Sequence, residues 1–125
     1  DTRQELDYGE EHVSFSEFFD KQLVHFSLYD CKRSIPLLID GLKPSQRKVI
    51  HVMRKLKGER KVSQAAGFIS SETSYHHGEM SMVDTIVGLA QTFVGSNNVN
   101  LLMPNGQFGT RTSGGSDKAS ARYIY

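Results

Sequence analysis

Apolar residues fall at helical spacing in several separate stretches of this chain. Phe15, Phe19, Leu23 and Phe26 recur every three or four residues and line one face of a helix. Ser14 followed by Glu17 forms a capping box, so that helix begins there. It fades around Tyr29 to Lys32, and a short apolar segment, Ile35 to Ile39, is stopped by Asp40-Gly41. Pro44 opens the next helix, because the first helical position needs no amide donor. Val49, Val52, Met53 and Leu56 form its inward face, and Gly58 closes it. Arg47, His51 and Arg54 fall on the opposite face, flanked by Lys48 and Lys55. Val62 to Ser71 reads as a shorter helix capped by Ser63. Met80 to Val94 has the fullest stripe, made of Val83, Ile86, Val87, Ala90, Phe93 and Val94. Ser81 with Asp84 caps its start and Gly95 stops its end.

Beyond Gly95 the texture changes. Glycines 95, 106, 109, 114 and 115 punctuate a polar stretch that also carries Asn97, Asn98, Asn100 and Asn105. Val99 to Leu102 and Gln107 to Phe108 are the candidate strand pieces. A helix, a turn and a second helix followed by strands and loops predict a mainly α domain with a small β wing. That is a winged-helix arrangement built on a helix-turn-helix. On this reading residues 1–13 are a leader or tail, and residues 14–125 are the domain.

The length of 125 residues suits one core and not two. No apolar run approaches the roughly 20 residues of a membrane span, so no membrane partner is expected. The acidic opening, Asp1 to Glu11, is unlike a signal peptide. A single cysteine, Cys31, excludes an internal disulfide framework and a four-cysteine zinc site. The expected setting is reducing and intracellular.

The net charge of +1 conceals an asymmetry. Residues 1–31 hold eight acids and two bases, whereas residues 32–62 hold ten bases and two acids. A chain with such a cationic segment expects a polyanionic partner, nucleic acid first, although basic clusters are also common as plain solvated surface. Here the cations coincide with the outward face of the Pro44 helix, which favours a phosphate-facing role.

Two strings could carry chemistry. Tyr75-His76-His77-Gly78-Glu79 sets two imidazoles side by side ahead of a helix. Adjacent histidines diverge, so they are not the shared-face pair that binds a metal at i, i+4 spacing. They are either structural residues or hydrogen-bond donors to phosphate. Arg122-Tyr123 lies at the end of a Gly- and Ser-rich segment. A phenol beside a guanidinium can attack phosphorus, with the cation stabilising the charge that develops on the phosphate oxygens. An exposed Arg-Tyr pair is more often plain surface.

Read together, these strings resemble a known family. Asp40-Gly41-Leu42-Lys43-Pro44 with Gln46-Arg47-Lys48-Val49 comes first, then Tyr75-His76-His77-Gly78-Glu79, then Phe93-Val94-Gly95-Ser96-Asn97-Asn98. Gly106-Gln107-Phe108-Gly109-Thr110-Arg111 and Ala119-Ser120 with Arg122-Tyr123-Ile124 follow. In that order they resemble the DNA breakage-reunion segment of type IIA DNA topoisomerases, in the eukaryotic and viral form more than gyrase. The resemblance runs over roughly residues 14–125. Ala121 departs from it, standing where family members commonly have proline, and the linker Leu56 to Lys61 is short.

The resemblance implies a winged helix and an ATP-dependent isomerase activity. Tyr123 is the nucleophile that forms a 5′-phosphotyrosyl bond, Arg122 stabilises the transition state, and His77 stands near the scissile phosphate with His76 beside it. Lys43, Tyr75 and Ser81 are implied DNA contacts, Gln46, Arg47 and Lys48 fall on the matching basic helix, and Arg111 is a further DNA-binding position. No metal ligand is implied in this chain. Mg2+ and ATP are expected in domains that it lacks, so it reads as a piece of a larger enzyme. The implied partners are double-stranded DNA, the remaining domains and a second copy in a homodimer. The implied location is the nucleus in a eukaryote, otherwise the cell interior with DNA. A non-catalytic winged-helix DNA-binding module is the alternative, and it has no need of Arg122-Tyr123. A partner-binding domain without nucleic acid is a third reading, opposed by the basic segment.

Overall fold

The protein is described here by a computed structural model that covers residues 5–7, 9, 11–97 and 99–125. Part of the acidic leader and Asn98 of the Phe93-to-Asn98 string lie outside the described residues. Regular structure among the described residues is entirely helical. It comprises α1 (Phe15–Phe18), a π-helical turn (Phe19–Leu23), α2 (Val24–Ser34), α3 (Pro44–Met53), α4 (Val62–Thr73) and α5 (Glu79–Ala90). The chain divides into two compact units, Asp1–Pro44 and Ser45–Tyr125.

In the first unit the capping box forms. The Ser14 hydroxyl accepts the Glu17 amide at 3.2 Å and donates to the Glu17 carboxylate at 3.0 Å. Lys21 pairs with that carboxylate at 3.2 Å one turn later. The lysine, then the serine, hold the Glu17 carboxyl below its ordinary value. The three helical pieces join with right-handed helical dihedrals at Phe19 and Val24. The Val24 amide reaches back to the Phe19 carbonyl, five residues away, and this is the local widening that makes a π turn. None of the residues in α1, the π turn or α2 is buried.

The second unit holds the core. On α4 the buried positions are Val62, Ala65, Ala66 and Ile69, the i, i+3, i+4, i+7 stripe of an amphipathic helix. They meet Met82, Val83, Ile86, Val87, Leu89 and Ala90 of α5, and Val49 and Val52 of α3 complete the cluster. Phe108 and Ile124 from the irregular C-terminal stretch are also buried in it.

The caps differ from the sequence expectation. Neither Ser63 nor Ser81 caps a helix: the N-cap of α4 is Lys61 and that of α5 is Gly78. The first amides of α4 are satisfied from a distance instead, Val62 N–H by the Ile124 carbonyl at 2.9 Å and Ser63 N–H by the Ala121 carbonyl at 3.1 Å. The last helix also stops earlier than its apolar stripe suggests. Gln91 turns extended, with ψ 147°, and its side-chain amide donates to the Phe108 carbonyl at 2.8 Å. Val94 is left 65% exposed.

The expected β wing is a correction, because no strand forms among the described residues. Leu101 and Leu102 direct their amides to the Leu89 carbonyl at the end of α5, at 2.9 and 3.2 Å, and so have none left for a ladder. The Gln107 carbonyl takes the Ala119 amide at 2.9 Å. Asn105 and Tyr125 exchange both backbone bonds, at 3.0 and 2.9 Å, and the pairing goes no further. Asp117 organises the stretch between. Its carboxylate accepts the Thr110 backbone amide and hydroxyl at 2.8 Å each and the Gln107 side-chain amide at 3.1 Å. The loop also closes tightly. A Cβ on Gly109, whose φ is +103°, would lie 2.6 Å from the Gly115 Cα.

Ile124 and its neighbour make a paired prediction. Ile124→Ala removes a side chain that is 1% exposed and should lower stability by about 2–5 kcal/mol in urea denaturation. Tyr123→Ala, at a residue 69% exposed, should cost about 0.5 kcal/mol or less. The reverse ranking would mean that the segment is not seated as described.

Acid should loosen the loop. The Thr110 amide, then its hydroxyl, hold the Asp117 carboxyl below its ordinary value. Its stabilisation of the loop is therefore complete above the unfolded value of about 3.9, and it is lost as pH falls through the lower folded value. Hydrogen exchange at the Thr110 amide should stay slow from neutral pH to about pH 4 and lose its protection below that. Asp117→Asn should abolish the pH step.

Candidate functional site

The candidate residues gather at the two ends of α4. At its C-terminal end Ser74 adopts the left-handed conformation, with φ 47°, and turns the chain out of the helix. Tyr75 then packs against the core, and its hydroxyl meets the Ser81 hydroxyl at 2.9 Å. The His77 ring stands edge-on to the Tyr75 ring, 5.4 Å between centroids. Gly78, with φ 84°, makes the corner into α5.

Lys48 of α3 reaches the same place. Its ammonium lies 5.8 Å from the Tyr75 ring centroid and donates to the Thr73 carbonyl at 2.9 Å. A cation on the last carbonyls of α4 complements the negative end of the helix dipole. Lys48 thus has a structural duty that its place in a basic helix does not reveal. Of the residues singled out in the sequence, Lys48, Tyr75, His77 and Ser81 form one cluster, and His76 is exposed beside it.

At the N-terminal end of α4 sits the segment with Arg122 and Tyr123. The carbonyls on either side of this pair, those of Ala121 and Ile124, are held by the first α4 amides. The Tyr123 amide closes a tight turn onto the Ser120 carbonyl at 2.8 Å. With Ile124 driven into the core, Tyr123 faces solvent. Tyr125, the other tyrosine within reach in sequence, is 41% exposed against 69% for Tyr123. Tyr125 is also tied by its backbone to Asn105 and lies under the Lys61 ammonium, 6.0 Å from its ring.

An open cleft of ≈ 790 Å³ separates this segment from the first turns of α5. Glu79, Met80 and Val83 line one wall, and Lys118, Ser120 and Arg122 line the other. Glu79 and Arg122, 43 residues apart in sequence, thus line one depression, whereas His77 and Tyr123 are not among the residues that line it. Sequence reasoning misses Lys118, whose ammonium pairs with Asp84 of α5 at 2.6 Å. No local pattern links two residues that far apart.

The remaining candidates stand elsewhere. Gln46 and Arg47 are half-buried on α3, and Arg111 is exposed on the loop that Asp117 organises. Lys43 belongs to the first unit. Among the described residues no group of three or more His, Cys, Asp or Glu side chains is arranged to hold a metal ion. Asp84 is paired to Lys118, Asp117 to Thr110 and Gln107, and Glu59 accepts from Asn105 at 3.0 Å. No described helix is long and apolar enough to cross a membrane.

Comparison with known proteins accounts for this arrangement. Over 122 residues, 96% of this chain, the sequence is 55% identical to DNA topoisomerase 2 of Arabidopsis thaliana, of which the match covers 8%. It is 53% identical over 127 residues to the mitochondrial DNA topoisomerase 2 of Dictyostelium discoideum, covering 10% of that protein. The chain therefore spans about a tenth or less of these relatives. The structure matches the solved DNA-binding, cleavage and re-ligation domain of Plasmodium falciparum topoisomerase II with a TM-score of 0.78. That match has 50% identity and covers 97% of this chain and 17% of the other. The A-subunit family model of DNA gyrase/topoisomerase IV matches residues 33–125, well over half of the chain. It is to this family that the chain belongs.

Proposed function

We propose that this chain is part of the DNA cleavage and religation machinery of an ATP-dependent type II topoisomerase, with Tyr123 as its nucleophile. One observation carries the assignment of the residue. Tyr123 is the exposed member of a segment whose neighbours on both sides are fixed to α4, and Arg122 beside it lines the cleft.

In this reading the phenol oxygen attacks a backbone phosphorus, and the bond from phosphorus to the 3′ oxygen breaks. The phenol proton is lost, the 3′ oxygen leaves as a hydroxyl, and the 5′ phosphate remains on Tyr123. Religation is the reverse, with attack by the 3′-hydroxyl and return of the phenol. A phenol with an ordinary pKa of about 10 needs nearby positive charge or a base to react at neutral pH. Arg122 supplies charge for the phosphate oxygens, and His77, with His76 beside it, supplies hydrogen-bond donors. Tyr75, Ser81, Gln46, Arg47, Lys43 and Arg111 contact DNA. α3 and α4 serve as the helix-turn-helix pair. Each copy cuts one strand, so a duplex needs two copies.

Mg2+ and ATP belong to parts of the enzyme outside this chain. The described carboxylates do not gather into an ion site. The enzyme works where its DNA is, in the nucleus or in a DNA-bearing organelle.

In the full-length protein, Tyr123→Phe should abolish covalent protein–DNA adducts trapped with detergent, with DNA affinity kept within a few-fold. Adducts that persist, or a labelled peptide carrying Tyr125, would place the nucleophile elsewhere. The cations separate by duty. Lys43→Ala and Arg47→Ala should each reduce the salt slope of DNA binding by about 0.9 and weaken all sequences about equally. Lys48→Ala should change the slope less and lower stability by about 0.5–1 kcal/mol, through the lost C-terminal contact on α4. Binding isotherms at several salt concentrations, with urea melts, read both.

A further inference from the structure

Upstream of Tyr123 the segment is fastened a second time. Lys118 sits five residues before the tyrosine, and its ammonium meets the Asp84 carboxylate on α5 at 2.6 Å. This joins the walls of the cleft, because Lys118 lines it together with Arg122 while Asp84 follows Val83 on the opposite wall. On the loop side Lys118 is well supported. Its amide donates to the Gly115 carbonyl at 3.3 Å, and the next amide, Ala119, donates to Gln107 at 2.9 Å. Asp117, immediately before it, carries the bonds that shape the loop. One residue therefore ties the loop to itself and the next ties it to α5.

We infer that the Lys118–Asp84 pair is a positioning latch, which sets where Arg122 and Tyr123 stand relative to the first turns of α5. The inference rests on the proposed role of Tyr123. From Ala119 to Tyr123 the chain is turns and irregular backbone, so it keeps some freedom between its anchors. The Ala121 and Ile124 carbonyls hold the pair on both sides, with Ile124 buried, but these bonds run to α4 and not to α5. The ion pair adds a tie to α5 and narrows the set of positions the phenol samples. Small displacements of a reacting group have large effects on rate, because reacting atoms must approach to within about 3–3.5 Å in line.

The pair has a second effect on the field in the cleft. An unpaired Asp84 carboxylate, next in sequence to Val83 of the wall, would repel an entering phosphate, and the lysine neutralises it. Both side chains are partly exposed, at 36% and 55%, so the latch is weak and salt-sensitive, and it biases rather than locks.

The test uses the full-length enzyme and separates rate from affinity. Asp84→Asn and Lys118→Met should each slow adduct formation at saturating DNA about three- to fivefold, the preference that an exposed ion pair can impose. Affinity should change less than twofold. The exchanged pair, Asp84→Lys with Lys118→Asp, should recover the rate to within about twofold, and high salt should erase the difference between wild type and Asp84→Asn. Hydrogen exchange over residues 116–122 should quicken in the single variants and recover in the exchanged pair. Two outcomes overturn the latch. A Lys118→Met variant that loses affinity without recovery in the exchanged pair would make the lysine a direct phosphate ligand. Unchanged adduct rates in all three variants would leave the pair without influence on the chemistry. Either result is separate from failure of the nucleophile assignment, which shows as adducts formed by Tyr123→Phe.

Discussion

The start of α4 depends on residues about 60 positions downstream, and the rest of the second unit follows from that dependence. A helix begins with amides that have no partner within it. Here the N-cap, Lys61, offers no side-chain acceptor, and the Val62 and Ser63 amides are met by the Ile124 and Ala121 carbonyls. The bonds act in both directions. The helix gains its cap, and an irregular segment gains a rigid reference. Burial of Ile124 in the core supplies the driving force, because backbone bonds to a mobile loop would contribute little by themselves. Since Ile124 is committed inward, Tyr123 is committed outward.

The opposite end of α4 is managed by charge. Its last carbonyls face the ammonium of Lys48, and Ser74 takes the left-handed turn that leads into Tyr75. Tyr75 then ties the linker back to α5 through Ser81. A single helix thus holds the tyrosine segment at one end and the histidine segment at the other. The cation that secures the second end comes from α3, so the basic helix supports the site before it touches any ligand. α5 closes the arrangement, presenting Glu79 and Met80 to the cleft and Asp84 to Lys118.

The legible and illegible parts of this fold divide by range. The buried faces of α3, α4 and α5 follow from apolar spacing alone, because a helix repeats every 3.6 residues whatever surrounds it. The Ser14 cap is local and readable for the same reason. The Ser63 cap does not form because the distant Ile124 and Ala121 carbonyls take the first amides, and Ser81 does not cap because α5 already starts at the Gly78 corner; no short pattern encodes either. Phe93 and Val94 mislead about the end of α5, since their apolar character continues the stripe after Gln91 has left the helix. The wing fails differently. Glycine and asparagine mark irregular chain correctly, but a strand also needs an unclaimed partner, and the Leu101 and Leu102 amides are taken by Leu89. As for the site, physics alone ranks Arg122-Tyr123 as ordinary surface. Family resemblance raises it, and the bonds on either side explain why Tyr123 stands outward.

The cationic segment is less free than its charge count suggests. Residues 32–62 carry ten bases, yet several are held against the fold. Lys48 is placed between Thr73 and Tyr75, Arg60 lies 5.8 Å from the Phe68 ring centroid, and Lys61 lies 6.0 Å from that of Tyr125. A cation over an aromatic face keeps its charge but loses much of its conformational freedom. It adds to the long-range field that draws a polyanion in, and it cannot freely follow a phosphate. Counterion release counts close contacts and not net charge. The salt dependence of binding should therefore fall below what ten bases suggest, while the rate of encounter still reflects all of them. The same restraint has a structural consequence at Lys61. Its ammonium lies over Tyr125, beside the helix start that receives the tyrosine segment, so a charge proposed to attract DNA is built into the support of the residue proposed to react with it.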